Sequence, residues 1–184
     1  MILVNEDRTS KPGGVRSFFK NKKSLLIILI IFFFGLTFWY GKQLVVVIEP
    51  ENNLPVQVFS SYKGDEWNIY FTHSVQKTPV EEFFRINGVD DMTMTHTRYQ
   101  SYGVGLPYLP SEGKFTSLKK EGRFDVEMNR PFKSVKLRTA VQAMHKIIHG
   151  EKVFDLCALY GQGTLVEVKV MRRYLYWWEY WIKL

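Results

Sequence analysis

Hydrophobic residues fall along this chain in two regimes. From Ser24 to Gly41 they run without a single charge, centred on Leu25-Leu26-Ile27-Ile28-Leu29-Ile30-Ile31-Phe32-Phe33-Phe34. At about 1.5 Å of helical rise per residue such a run spans about 27 Å, close to the roughly 30 Å hydrocarbon core of a bilayer. Lys22, Lys23 and Lys42 flank it and can reach outward to headgroups, while Trp39 and Tyr40 sit at the far end, where amphipathic rings favour the interface. The pattern predicts one transmembrane helix over 24–41.

From Leu44 onward the continuous apolar run gives way to short stretches broken by turn residues. Leu44 to Ile48 is compact and β-branched; Glu66 to Phe71 and Val80 to Ile86 are rich in aromatics and separated by Gln76-Lys77-Thr78-Pro79. Met92 to Thr97 alternates, which places Thr93, Thr95 and Thr97 on one face of a strand and Met92, Met94 and His96 on the other. Further strands are predicted over Phe124–Met128, Phe132–Leu137, Val153–Leu156 and Thr164–Met171, with Gly64-Asp65, Asn87-Gly88, Glu121-Gly122, His149-Gly150 and Gly161-Gln162-Gly163 as turns. Ala140 to Ile148 reads either as strand or as a short helix, and Tyr99 to Lys114, with three glycines and two prolines, reads as a long loop. Closely spaced strands without long amphipathic helices between them predict an all-β outer domain, an antiparallel sandwich or barrel-like fold, carried on one N-terminal transmembrane helix.

Charge sets the expected orientation. Six basic residues, Arg8, Lys11, Arg16, Lys20, Lys22 and Lys23, precede the apolar run against only Glu6 and Asp7. The positive-inside rule then keeps 1–23 as a cytoplasmic basic tail, makes 24–41 a signal anchor in the cell membrane, and sends a β domain over 44–173 outside. The exit Thr37-Phe38-Trp39-Tyr40-Gly41-Lys42 is bulky and lacks the small-residue pattern of a cleavage site, so the anchor is expected to stay uncleaved. Of 25 Lys+Arg and 18 Asp+Glu, the tail takes six and two. What remains outside is nearly balanced, which removes the support for a nucleic-acid partner. The carboxyl end, 174–184, is an aromatic tail, Tyr174-Leu175-Tyr176-Trp177-Trp178-Glu179-Tyr180-Trp181-Ile182-Lys183-Leu184. Such a segment fits a final strand packed on the sandwich, a partner surface or the membrane interface.

The chain has 184 residues and one cysteine, Cys157, so an intramolecular disulfide framework and a multi-cysteine zinc site are both excluded. No G-x-S-x-G elbow and no H-x-H or H-E-x-x-H spacing occurs, and Gly103-Val104-Gly105 lacks the setting of a dinucleotide site. The chain is therefore expected not to be an enzyme and to need no cofactor. The densest polar cluster is Thr72-His73-Ser74-Val75-Gln76-Lys77-Thr78-Pro79-Val80-Glu81-Glu82. With Lys77 at the centre of a hairpin turn, His73 would face Glu81 and Phe71 would face Phe83. A facing His and Glu can bind a metal, exchange a proton or simply hold one another.

Two segments carry a resemblance: Phe71-Thr72-His73-Ser74-Val75-Gln76-Lys77-Thr78-Pro79-Val80-Glu81-Glu82 and Thr97-Arg98-Tyr99-Gln100-Ser101-Tyr102-Gly103-Val104-Gly105-Leu106-Pro107. They resemble the bacterial domain of unknown function 1850 family, with its T-H-S-V-x-K-T-P-V-x-E stretch and its later S-[FY]-G-A-G-L-P loop. Val104 stands where that loop has alanine, and His145 corresponds loosely to a later histidine of the pattern. The resemblance covers most of 45–170 and implies a membrane-anchored or secreted protein with no established activity. The genes of such proteins commonly lie beside those for tripartite ATP-independent transporters of the TAXI class. By association this implies an accessory subunit whose partners are the membrane and the transporter's permease or solute-binding protein. The same resemblance marks His73, Lys77, Glu81, Glu82, Arg98, Tyr102 and His145 as the candidate binding residues. The alternative expectation is capture of a small ligand or metal by His73, Glu81 and His145, the metal being unspecified.

Overall fold

The computed structural model describes residues 22–51, 53–101, 106–107, 111, 113–118 and 122–182. The basic tail ahead of Lys22 and half of the Gly/Pro loop, Tyr102 included, lie outside these. The chain divides into two compact units, with Gly41 the first residue of the second.

The first unit is seen as helix α1 (Lys22–Gly41), which begins two residues earlier than the apolar pattern predicts. Its side chains find no protein core: Ile31 to Phe34 stand 63–67% exposed. The helix is long and apolar enough to cross a membrane. Near its end the Thr37 hydroxyl is satisfied within the helix by donating to the carbonyl of Phe33 at 2.9 Å.

The second unit contains eleven strands: β1 (Leu44–Pro50), β2 (Gln57–Ser61), β3 (Glu66–Thr72), β4 (Pro79–Gly88), β5 (Asp91–Tyr99), β6 (Lys114–Leu118), β7 (Arg123–Phe132), β8 (Ser134–Arg138), β9 (Lys146–His149), β10 (Lys152–Asp155) and β11 (Leu165–Arg172). They form the expected antiparallel two-sheet sandwich. A four-stranded sheet has the order β2-β1-β11-β8 and a seven-stranded sheet the order β10-β9-β3-β4-β5-β7-β6. Between the sheets, Val46, Ile48, Val166, Val168 and Val170 of the small sheet meet Trp67, Ile69, Phe84, Ile86, Met92 and Ile147 of the large one. Trp67 stacks on Phe84 with ring centroids 4.7 Å apart, so the broadest apolar surfaces lie at the centre.

Strand β1 is buried on both faces, which is why it reads as an unbroken apolar run. Its second face, Val45 and Val47, joins Met171 and is covered by Tyr176 and Tyr180. These rings come from helix α3 (Arg173–Trp177), which continues as a π-helical segment, Trp178–Ile182. The aromatic tail is thus a helix laid on the sandwich rather than a final strand. A short helix α2 (Leu156–Tyr160) follows β10, N-capped by the Asp155 carboxylate, which accepts from the backbone N–H of Cys157 and Ala158.

The alternation predicted for Met92–Thr97 holds only as far as Met94. Phe83 pairs with His96 but Phe84 pairs with Met94, so Thr95 is an extra residue in β5. A bulge of this kind resets which face each later residue takes. Met92 and Met94 point into the core, but so do Thr97 and Tyr99, while His96 turns to the outer face. The segment Ala140–Met144 is a turn, with Met144 at a φ of 50°, leading into β9. At the far end of the large sheet, Gly113 lies so close to β7 that a Cβ there would stand 2.2 Å from the carbonyl oxygen of Glu127. Only glycine permits this approach.

Candidate functional site

The β3–β4 hairpin places the first cluster. Thr72 pairs with Pro79, Phe71 with Val80 and Tyr70 with Glu81, so the turn is centred ahead of Lys77. His73 therefore does not face Glu81, and Phe71 does not face Phe83. Instead, the backbone N–H of His73 donates to Thr78 O at 2.9 Å, and the N–H of Lys77 donates to His73 O at 2.9 Å. Closing this turn puts Lys77 in the left-handed region, at a φ of 56°. The His73 imidazole is 8% exposed. Its Nδ1 accepts from the N–H groups of Val75 and Gln76 at 3.2 and 3.1 Å. With its Nδ1 lone pair turned to two backbone donors, the neutral ring carries its proton on Nε2. His73 works here as a staple for the hairpin end, which is tied in turn to the neighbouring turn by Thr72 N–H on Ala143 O at 2.7 Å.

Successive residues of a strand face opposite ways, and this separates Glu81 from Glu82. Glu81 lies on the outer face of the large sheet in register with Arg98, which is in register with Asp125. Arg123 donates to the Glu81 carboxylate at 3.1 Å and Arg98 to Asp125 at 3.4 Å. These four side chains are only 20–32% exposed. The Arg98 guanidinium also lies 5.1 Å from the centroid of Phe83, and Phe83 stacks on His96 at 4.1 Å. Within this cluster Arg98 Nε and Asp125 Oδ1 are buried and make no hydrogen bond. Beside it is a shallow depression of about 580 Å³ lined by Arg85, Asn87, Thr93, Thr95, His96 and Glu127, among others.

Glu82 takes the inner face, in register with Ile69 and Thr97. Burial raises the pKa of its carboxyl, and the Arg130 guanidinium partly offsets that rise. His145 lies just before β9, its ring 5.8 Å from Phe71, and burial lowers its pKa. Its Nδ1 is buried without a hydrogen-bond partner. The six candidate residues among those described thus fall in three places. His73 and Lys77 shape the turn, Glu81 and Arg98 belong to the outer network, and Glu82 and His145 sit on the inner side. Tyr102 lies outside the described residues. Among the described residues, no group of three or more His, Cys, Asp or Glu side chains is placed to hold a metal.

The hairpin, the outer network and His145 all fall within residues 68–156, which match the family model described as Domain of unknown function (DUF1850). This segment is a DUF1850 domain. No curated protein and no solved structure gives a significant match to the chain. The DUF1850 match takes in nearly the whole seven-stranded sheet together with β8, whereas α1, β1, β2, β11 and the aromatic helix lie outside it. Arg123, Asp125, Phe83 and His96 complete the outer network of the DUF1850 segment and escaped the reading of the sequence. Their signal was the period-two recurrence of Arg123, Asp125 and Glu127, whose partners become visible only once the strand register is known.

Proposed function

We propose that this chain is a single-pass membrane protein, with its tail inside and its β domain outside the cytoplasmic membrane. We propose further that it is a non-enzymatic accessory or interaction subunit of a TAXI-class tripartite ATP-independent transporter, meeting the permease or the solute-binding protein through the outer face of the large sheet. One observation carries the reading of the surface. A half-buried network of two carboxylates and two guanidinium groups, packed on an aromatic stack, holds charged donors and acceptors in fixed positions on the large sheet. Arginine and aromatic side chains held rigid at a surface are the usual anchors of protein interfaces. The transporter itself is inferred from the gene neighbourhoods implied by the family resemblance.

The combined variant Glu81→Ala and Arg98→Ala tests the contact surface. Co-purification of the permease or solute-binding protein should fall at least tenfold while the melting temperature stays near that of the parent chain. Undiminished recovery would remove these residues from the contact.

A second reading, capture of a small ligand, is favoured by the inner side, where the unpartnered Nδ1 of His145 and the half-buried Glu82 share a face with Arg130 nearby. Titrating the chain with zinc or with small organic anions while following thermal unfolding decides it, since a ligand that binds only the folded state must raise the midpoint. Flat melts with every candidate count against it.

A further inference from the structure

The C-terminal helix carries apolar side chains on both of its faces, and only one face is covered. Tyr176 and Tyr180 pack on Val45, Val47 and Met171 of the small sheet. The opposite side presents Tyr174, Leu175, Trp178 and Ile182, with Trp178 60% exposed, whereas Trp181 turns towards the covered side and donates its indole N–H to Tyr176 Oη at 3.3 Å. Spacings of three and four residues bring these four onto a single stripe. Glu179, the acidic residue within the segment, is drawn towards Lys169 at 3.8 Å. Exposed rings at this density would be a liability in water, so the stripe has an occupant.

The start of the helix indicates which. The backbone N–H of Arg173 donates to Gln43 O at 2.9 Å, and the Arg172 guanidinium donates to Lys42 O at 2.6 Å. Tyr174 and Trp177 approach Gly41 closely enough that a Cβ there would lie 3.4 and 3.8 Å from them. Residues 41–43 follow directly on the apolar run, so in a membrane-spanning chain they lie at the lipid–water boundary. The first turn of the aromatic helix is fixed to that boundary by its own hydrogen bonds. Tryptophan and tyrosine are the side chains that partition best into the headgroup layer, and the two arginines at the helix start suit anionic lipids.

We infer that the stripe Tyr174, Leu175, Trp178 and Ile182 docks on the lipid headgroup layer, giving the β domain a second membrane contact beside the anchor. The inference rests on the membrane-spanning reading of α1, and the test separates the two. The full chain is reconstituted in vesicles of phosphatidylethanolamine and phosphatidylglycerol whose acyl chains are brominated near the headgroup, and tryptophan quenching is measured. Trp178→Phe should remove a large share of the bromolipid quenching that survives in Trp39→Phe, together with a blue-shifted share of the emission. If Trp178→Phe leaves bromolipid quenching unchanged and instead removes quenching by aqueous iodide, the stripe faces water and the inference fails. If it removes neither, the stripe is covered by protein, a partner or a second copy, and the inference fails equally. Retained quenching of Trp39 in either case leaves the anchor standing, whereas its loss would overturn the anchor itself.

Discussion

The two sheets of the β domain finish their outer faces in opposite ways. On the four-stranded sheet, Val45 and Val47 are roofed by the rings of Tyr176 and Tyr180, so β1 is apolar on both sides. On the seven-stranded sheet the corresponding surface carries Glu81, Arg98, Asp125 and Arg123 in half-buried ion pairs, backed by Phe83 and His96. An apolar cover stabilises the domain and leaves nothing for a partner to read. Fixed charges contribute little stability, since pairs this close to solvent are worth less than about 1 kcal/mol, but they hold donors and acceptors in defined positions. The family segment coincides with the second kind of surface, and β1, β11 and the aromatic helix, which lie outside it, build the first.

Substitutions break this contrast with different force. Phe84→Ala empties the centre that both sheets share and should lower the unfolding free energy by about 3–5 kcal/mol, measured by denaturant titration of the full chain in detergent. Tyr180→Ala strips half of the roof and should cost about 2 kcal/mol, chiefly through exposure of Val45 and Val47, with partner binding unchanged. Gly113→Ala pushes a methyl into the backbone of β7 and should cost about 1–3 kcal/mol, seen as faster amide exchange confined to β6 and its partner strand.

The next effect is a dependence on pH, with opposite signs for the two inner-side groups. The Glu82 pKa is raised from its ordinary 4.5 by burial, so its contribution to stability is complete below that value and is lost as pH rises through the folded pKa. Glu82→Gln should remove this loss and leave the chain more stable at neutral pH. The His145 pKa is lowered from 6.5 by burial, so its contribution is present above that value and is lost as pH falls through the folded pKa. His145→Gln should flatten that acid limb, read from melting temperatures between pH 4 and 8. The smallest change in stability, below about 1 kcal/mol, is expected for Glu81→Ala with Arg98→Ala, the pair whose loss should matter most for recognition.

The same contrast explains what could be read in the sequence. A strand covered on both faces announces itself as an apolar run, and a helix apolar on every side does so more strongly; β1 and α1 were both legible as elements. Strands with one buried face were legible in place but not in pairing. The Thr95 bulge turned His96 outward, and the turn ahead of Lys77 slid His73 away from Glu81, because register depends on turn geometry that residue types leave open. Three short or marginal strands, β2, β6 and β9, gave too few alternations to stand out. The family motif drew attention to Glu81 and Arg98, yet their partners Arg123 and Asp125 lie on a strand about 25 to 40 residues away and carry no motif of their own. The aromatic tail left a strand, a partner surface and the membrane interface open because its covered and exposed faces are both apolar, which erases the helical period.

The outer face of the large sheet as the contact surface is the claim that most needs testing. A photo-crosslinking residue placed at Glu127, exposed on that face, and separately at Lys136, exposed on β8 of the small sheet, would be activated in intact cells and the adducts identified. The account predicts that Glu127 crosslinks to the TAXI permease or its solute-binding protein and that Lys136 does not. A transporter adduct from Lys136 alone, or none from either position, would contradict it.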